Sequence, residues 1–211
     1  MKAYFSIIIF LLVVTNGFSQ TKRSVNDAKG LTVGVKAPDF SAIDSDSVSF
    51  SLANALKNTP VVLVFYRGFW CPVCNKHLAQ IQDSLQFITN KGVSVIAVSP
   101  EKPEFLEKMA DKSGATFKLL YDEGYKIADS YDVTFTPKTT EAFVYNTVLG
   151  ANLKETHSDD SHRLPIPATY LIDKNGVIVW RQFNPDYKKR SSVSEILKAI
   201  DEIKLASNMF H

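Results

Sequence analysis

Cysteine is scarce: the 211-residue sequence holds only Cys71 and Cys74. Two thiols exclude a disulfide-stapled mini-protein. They also exclude a zinc site built from cysteine alone, which needs four thiolates. Glycine and proline number nine each, too few for a collagen-like or low-complexity chain. An excess of one charge is missing too. Lys and Arg total 24 against 22 Asp and Glu, with no strongly basic stretch, which argues against nucleic acid as a partner. No apolar run reaches the ~20 residues of a comfortable membrane span. What remains is a chain that is 45% apolar and 11% aromatic, enough for one well-buried globular domain.

The apolar run from Ser6 to Val14 has a different use. It follows the basic Lys2 and leads into the polar Asn16-Gly17-Phe18-Ser19, with small residues placed for a cut after Ser19. That is the layout of a secretory signal peptide. Residues 1–19 are therefore expected to be a signal, touching a membrane only before cleavage. Residues 20–30 are expected to be a mobile lead-in, and 31–207 the folded domain. On this reading the protein crosses the inner membrane and works in the periplasm or outside the cell. An uncleaved anchor is the alternative.

Periodicity predicts alternating strands and helices. Val48–Leu52 alternates like a short edge strand. Pro60–Tyr66 and Val93–Ser99 are continuous β-branched runs, suited to strands buried on both faces. Phe117–Tyr121 is a further strand. Helices are expected over His77–Thr89, Pro103–Asp111, Gly124–Tyr131 and Ser194–Ala206. Asn175-Gly176 between two apolar runs signals a closing hairpin. The order implies an α/β fold with a mixed central sheet and helices on both faces. Val133–Arg163 fits no regular element, apart from a short helix at Ala142–Tyr145. A stretch that long in a compact domain is expected to be functional, partly helical or flexible, and the part around Tyr145–His162 is a candidate to shape the substrate opening.

The chemistry concentrates at Cys71-Pro72-Val73-Cys74. Cys71 follows a buried strand and opens a helix, with Pro72 as the first helical residue, where its missing N–H costs nothing. Unpaired backbone N–H groups and the helix dipole favour a thiolate there, and the thiolate is the nucleophile. Cys74 lies one turn on along the same face, so a Cys71–Cys74 disulfide is feasible. Being further inside the helix, Cys74 is expected to be less exposed. That points to Cys71 as the attacking sulfur and Cys74 as the resolving one. Arg67 is the nearest preceding cation and a candidate to support the thiolate.

Alternatives stand beside this reading. Cys71, Cys74, His77 and His157 or His162 would make a partial zinc knuckle, although no second CxxC exists. An inert structural disulfide is another, although so short a loop stabilises little. His77 is either a tuning group or an ordinary half-buried histidine. Pro167 reads as a proline that starts a strand. Thr169 is either a partner of the sulfurs or a plain strand residue.

Val64-Phe65-Tyr66-Arg67-Gly68-Phe69-Trp70-Cys71-Pro72-Val73-Cys74-Asn75 resembles the signature box of the peroxiredoxin-like branch of the AhpC/TSA (redoxin) family. The resemblance extends to Gly34–Phe40, Leu120–Asp122, Leu164–Asp173, Gly176–Ile178 and Asn184–Tyr187, covering roughly residues 31–205. It implies a thioredoxin-like three-layer fold, with Pro167 cis and facing the CxxC. It also implies a thiol peroxidase needing no cofactor and no metal. Cys71 would attack a hydroperoxide and become a sulfenic acid, and Cys74 would condense with it to a disulfide. A thioredoxin-like protein would then restore both thiols. Arg67, Trp70, Pro167 and Thr169 would support the site. Val64 and Gly68 stand where typical members carry Pro and Thr. Trp70, directly before Cys71, matches thioredoxin. An extracytoplasmic thiol–disulfide oxidoreductase acting on protein disulfides is thus the second reading. A redox-inactive or metal-handling binding module is the third.

Overall fold

The computed structural model describes residues 22–208, so the expected signal segment lies outside the described residues. In chain order the elements are β1 (Ser41–Asp44), β2 (Ser49–Ser51), α1 (Leu52–Leu56), β3 (Val61–Phe65), α2 (Pro72–Asp83), α3 (Leu85–Thr89), β4 (Ser94–Ser99), α4 (Pro103–Ser113) and β5 (Lys118–Tyr121). They continue with α5 (Lys126–Ser130), β6 (Thr134–Phe135), α6 (Thr139–Thr147), α7 (Leu153–Thr156), β7 (Leu164–Pro165), β8 (Ala168–Ile172), β9 (Ile178–Phe183) and α8 (Val193–Asn208).

Seven strands form one sheet in the order β2-β1-β5-β4-β3-β8-β9. β3, β4 and β5 run parallel, while β8 is antiparallel to β3 and β1 to β5. The predicted mixed sheet is therefore present. β3 shows why its sequence is apolar throughout. Val62 and Val64 face one core with Leu78 and Ile81 of α2, Leu106 of α4 and Ile196 of α8. Val61, Leu63 and Phe65 face the other with Leu52 of α1 and Ile127 of α5. The period-2 alternation of a strand serves two cores at once. Each fully buried aliphatic side chain contributes about 1.5–3 kcal/mol. Among the described residues no helix is long and apolar enough to cross a membrane.

Several expectations need correction. The helix expected over His77–Thr89 starts earlier, at Pro72, and breaks at Ser84, whose backbone (φ −111°, ψ 9°) leaves the helical region before α3 resumes. β1 was not foreseen as a strand. The stretch from Val133 to Arg163 is structured: β6 pairs with β7, and α6 and α7 lie between them. The lead-in, expected to be loose, is anchored from residue 22 onward. Arg23 pairs with Asp132, the Asp132 backbone carbonyl accepts from Gly30 N–H at 3.0 Å, and Ala28 is buried.

Two buried histidines give the fold a pH dependence. Burial, with Arg190 adding, pushes His77 down to about 4, against a hydrogen bond it donates to the Ser191 backbone carbonyl. Burial pushes His157 down to about 3. Both stay neutral in the folded chain, while the unfolded chain protonates them near pH 6.5. The unfolded state thus binds more protons between pH 6.5 and 4, and stability falls as pH falls through that window. Denaturant midpoints measured from pH 7 to pH 4 should drop accordingly, by an amount on the order of 2 kcal/mol for each histidine. Replacing His77 with Asn should flatten part of that drop.

Candidate active site

β3 ends at Phe65 and delivers Tyr66-Arg67-Gly68-Phe69-Trp70 as a short loop to the start of α2. Cys71 is the N-cap of α2: its backbone is extended (φ −90°, ψ 105°), and its Sγ accepts from the Cys74 N–H at 3.3 Å. Pro72 occupies the first turn, as the sequence predicted. Cys71 Sγ also accepts from Arg67 Nη2 at 3.3 Å. Arg190 Nη2 donates to Cys74 Sγ at 3.5 Å. Both cysteines are free thiols, and both are 0% exposed. The expected difference in exposure between them is thus absent, because the surrounding side chains enclose both sulfurs.

Arg67 is 1% exposed, and aromatic rings gather round it. Its guanidinium carbon lies 4.0 Å from the Tyr187 ring centroid, 5.1 Å from Tyr145 and 5.2 Å from Trp70. The Trp70 and Tyr145 rings also pack together, tilted by 35° with centroids 5.3 Å apart. Burial works against the Arg67 charge, but the Cys71 and Cys74 sulfurs outweigh it and hold the group protonated. Arg67 Nε and Nη1 are buried and have no protein partner, and neither has Trp70 Nε1. Unpartnered buried donors cost about 1–3 kcal/mol each unless something binds them.

The sulfurs titrate as a pair, in two steps that belong to both. On Cys74, burial opposes the charge, but the hydrogen bond with Cys71, then Arg190 and Arg67, bring the thiol well below its ordinary range. On Cys71 that same sulfur–sulfur hydrogen bond, then burial and the neighbouring charge, raise the thiol against the pull of Arg67. The observed donors converge on Cys71: Arg67 Nη2 and the Cys74 N–H both point at its sulfur. A proton placed on Cys74 leaves the charge on Cys71, where those donors stand.

Of the residues singled out from the sequence, Arg67, Trp70, Cys71 and Cys74 come together. Thr169 does not bond a sulfur: its hydroxyl pairs with Ser191 Oγ at 2.9 Å, and Ser191 Oγ also lies 3.1 Å from His77 Nε2. Pro167 is not cis, because every peptide bond among the described residues is trans. The preceding residue is held by a different bond, Ile166 N–H to Val133 O at 2.6 Å, and trans is the favoured form of an X–Pro bond by about 0.5–1 kcal/mol. Two of the three histidines of the zinc alternative are engaged elsewhere: His77 on Ser191, and His157 Nδ1 2.9 Å from Tyr125 Oη. Among the described residues no group of three or more His, Cys, Asp or Glu is arranged to hold a metal ion.

Sequence reasoning missed Tyr145, Tyr187, Arg190 and Glu101. Tyr187 lay within a stretch noted only for its family resemblance, and Arg190 lies 116 residues from the sulfur it touches.

These features match a known family. The family model described as AhpC/TSA family matches residues 33–181. The chain belongs to the AhpC/TSA family. A Mycobacterium tuberculosis protein that carries a peroxiredoxin name is 30% identical over 154 residues, 73% of this chain and 86% of the relative. The thiol-disulfide oxidoreductase ResA of Geobacillus thermodenitrificans is 24% identical over 174 residues, 82% of each chain. The crystal structure of a peroxidoxin, BcpB, from Mycobacterium tuberculosis superposes with a TM-score of 0.64 at 18% identity, covering 83% of this chain and 97% of that one. The fold of this family member is thioredoxin-like, as the resemblance implied.

Gly68 shows how tightly this AhpC/TSA site is built. A Cβ there would sit 2.4 Å from Trp70 Nε1 and 2.5 Å from Glu101 Oε1. Gly68→Ala must displace one of them. It should lower stability by about 1–3 kcal/mol and slow thiol oxidation, as read from denaturant midpoints and thiol titration of the same preparation.

Proposed function

We propose that this AhpC/TSA protein is a thiol-dependent peroxidase. It reduces hydroperoxides through a Cys71–Cys74 dithiol–disulfide cycle and is re-reduced by a thioredoxin-type donor. The observation that carries the reading is the Arg67 guanidinium. One of its nitrogens holds Cys71 Sγ, and the other two are buried, unpartnered and beside that sulfur. A hydroperoxide oxygen departing from the attacked O–O bond develops negative charge. Fixed donors aimed there in a dry site are worth far more than in water. Two sulfurs buried at 0% exposure also suit a small oxidant better than a protein loop.

In the cycle, the Cys71 thiolate attacks the outer peroxide oxygen. The S–O bond forms, the O–O bond breaks, and the alcohol or water leaves once protonated. The Cys74 sulfur then displaces the sulfenic hydroxyl as water, giving the disulfide. Two thiols of the donor reverse this by exchange. The N-terminal pattern of Lys2 and Ser6–Val14 supports export, so the donor would act outside the cytoplasm.

One observation favours the second reading, a thiol–disulfide oxidoreductase: the similarity to ResA over most of the chain. Steady-state turnover separates the two. Peroxide consumption driven by a thioredoxin system is expected, with insulin reduction slow. Cys74→Ser should consume one peroxide equivalent and then stall with Cys71 as a sulfenic acid or mixed disulfide. Normal turnover of Cys74→Ser would remove Cys74 from the resolving role. Rapid insulin reduction without peroxide consumption would install the second reading.

A further inference from the structure

A cleft of about 580 Å³ opens beside the start of α2. Pro72 and Val73, the two residues after Cys71, give it an apolar part. Lys76 comes from the next turn of the helix, and Lys188 and Arg190 from the loop between β9 and α8. Among the described residues no acidic side chain lines it. That is not the character of the molecule as a whole, where 24 basic side chains are balanced by 22 acidic ones. None of the three cations enters an ion pair among the described residues. The acids nearest in the chain are spent on the backbone: Asp186 accepts from the Lys188 N–H at 3.0 Å, and Glu195 from the Ser192 N–H at 2.7 Å. A cleft lined by one sign of charge concentrates ions of the other sign.

The loop that carries two of these cations is pinned from below. Ser191 is buried, and its hydroxyl lies 2.9 Å from Thr169 Oγ1 on β8 and 3.1 Å from His77 Nε2 on α2. These bonds tie the loop to both sheet and helix, so Thr169 and His77 serve the wall of the cleft and not the sulfurs. Arg190, the preceding residue, donates Nε to the Tyr187 carbonyl at 2.6 Å and Nη2 to Cys74 Sγ at 3.5 Å, while its Nη1 is buried without a protein partner. Arg190 is thus at once a wall of the cleft and a contact of the reacting pair. A guanidinium with a donor to spare suits a carboxylate. The apolar surface of Pro72 and Val73 favours an organic anion over an inorganic one.

We propose that this cleft is a specificity subsite for organic hydroperoxides that carry a carboxylate. The carboxylate sits among Lys76, Lys188 and Arg190, the apolar body lies against Pro72 and Val73, and the hydroperoxyl end turns to Cys71. The proposal rests on the peroxidase reading above and names its substrate class. The chemistry is that of the cycle already given. Cys71 sulfur takes the outer oxygen, the O–O bond breaks, and the proton of the Cys71 thiol ends on the departing hydroxy acid. The carboxylate is not consumed; it only holds the substrate.

Cumene hydroperoxide and its ring-carboxylated form differ only in that charge, and steady-state turnover of the two tests the subsite. Wild-type protein should show a kcat/KM at least about tenfold higher for the carboxylate at low ionic strength, with the gap narrowing as salt rises. The double variant Lys76→Glu, Lys188→Glu should bring the ratio to one or below. It should leave hydrogen peroxide turnover unchanged, since both side chains are exposed and lie outside the sulfur contacts. Equal kcat/KM for the two hydroperoxides in wild type would overturn the proposal, and that comparison decides even if the variant does not fold. A carboxylate preference that survives in the folded variant would overturn it too. So would a variant slowed only in re-reduction by the donor protein, which would assign the cleft to an acidic donor surface. Failure to reduce hydrogen peroxide itself would bring down the peroxidase reading and the subsite with it. Reduction of hydrogen peroxide without a carboxylate preference would bring down the subsite alone.

Discussion

Replacing Cys71 with serine is expected to abolish peroxide reduction, lowering the rate of the first oxidation by at least about a thousandfold. A serine hydroxyl at the start of α2 still accepts the Cys74 N–H, so the helix cap and fold should survive. What disappears is the sulfur that the Arg67 guanidinium holds. Cys74 is not expected to substitute, since its sulfur faces Arg190 and not the Arg67 side-chain donors. The check is single-turnover mixing of reduced Cys71→Ser with a hydroperoxide, followed by thiol titration. Rapid loss of the remaining thiol would show that Cys74 is itself the nucleophile.

The second large effect is at Arg67. Arg67→Ala should slow the peroxide step by roughly 10²–10³-fold, the usual loss when a fixed donor is removed from a developing oxyanion. It should also raise the first thiol titration, because a buried cation that favours the thiolate is gone. Arg67→Lys should recover the charge but not the fork: one ammonium cannot hold Cys71 Sγ and also offer two further donors in the guanidinium plane. Its rate should fall between the two. The pH dependence of thiol alkylation, read beside the single-turnover rate, separates these contributions. Unchanged kinetics in Arg67→Ala, with the fold intact by circular dichroism, would show that the guanidinium serves packing against Tyr187 and Tyr145 alone.

The contiguous parts of the site were legible in the sequence, and the assembled parts were not. A β-branched run, a short loop and Cys-Pro at a helix start are local signals. They placed Arg67, Trp70, Cys71 and Cys74 together because all four ride on the β3–α2 connection. Asn175-Gly176 likewise marked the β8–β9 hairpin. The stretch from Val133 to Arg163 gave no signal for physical reasons. β6 and β7 are two residues each and pair only with one another, across the whole intervening segment. α6 has no fully buried side chain, so it carries no apolar stripe to read. Yet α6 supplies Tyr145, which packs against Trp70 beside Arg67. The enclosure of both sulfurs was hidden for a related reason: it depends on Arg67 and Arg190 reaching them from different parts of the chain, a product of tertiary packing.

The central claim is that Cys71 and Cys74 react with a hydroperoxide as one unit. Stopped-flow mixing of the fully reduced protein with one equivalent of hydrogen peroxide, following Trp70 fluorescence and quenching for intact-mass analysis, tests it most directly. The account predicts a fluorescence change far faster than the reaction of free cysteine, with both thiols lost and a product lighter by two hydrogens. Oxidation no faster than that of free cysteine, or a product carrying a stable extra oxygen with Cys74 still reduced, would contradict it.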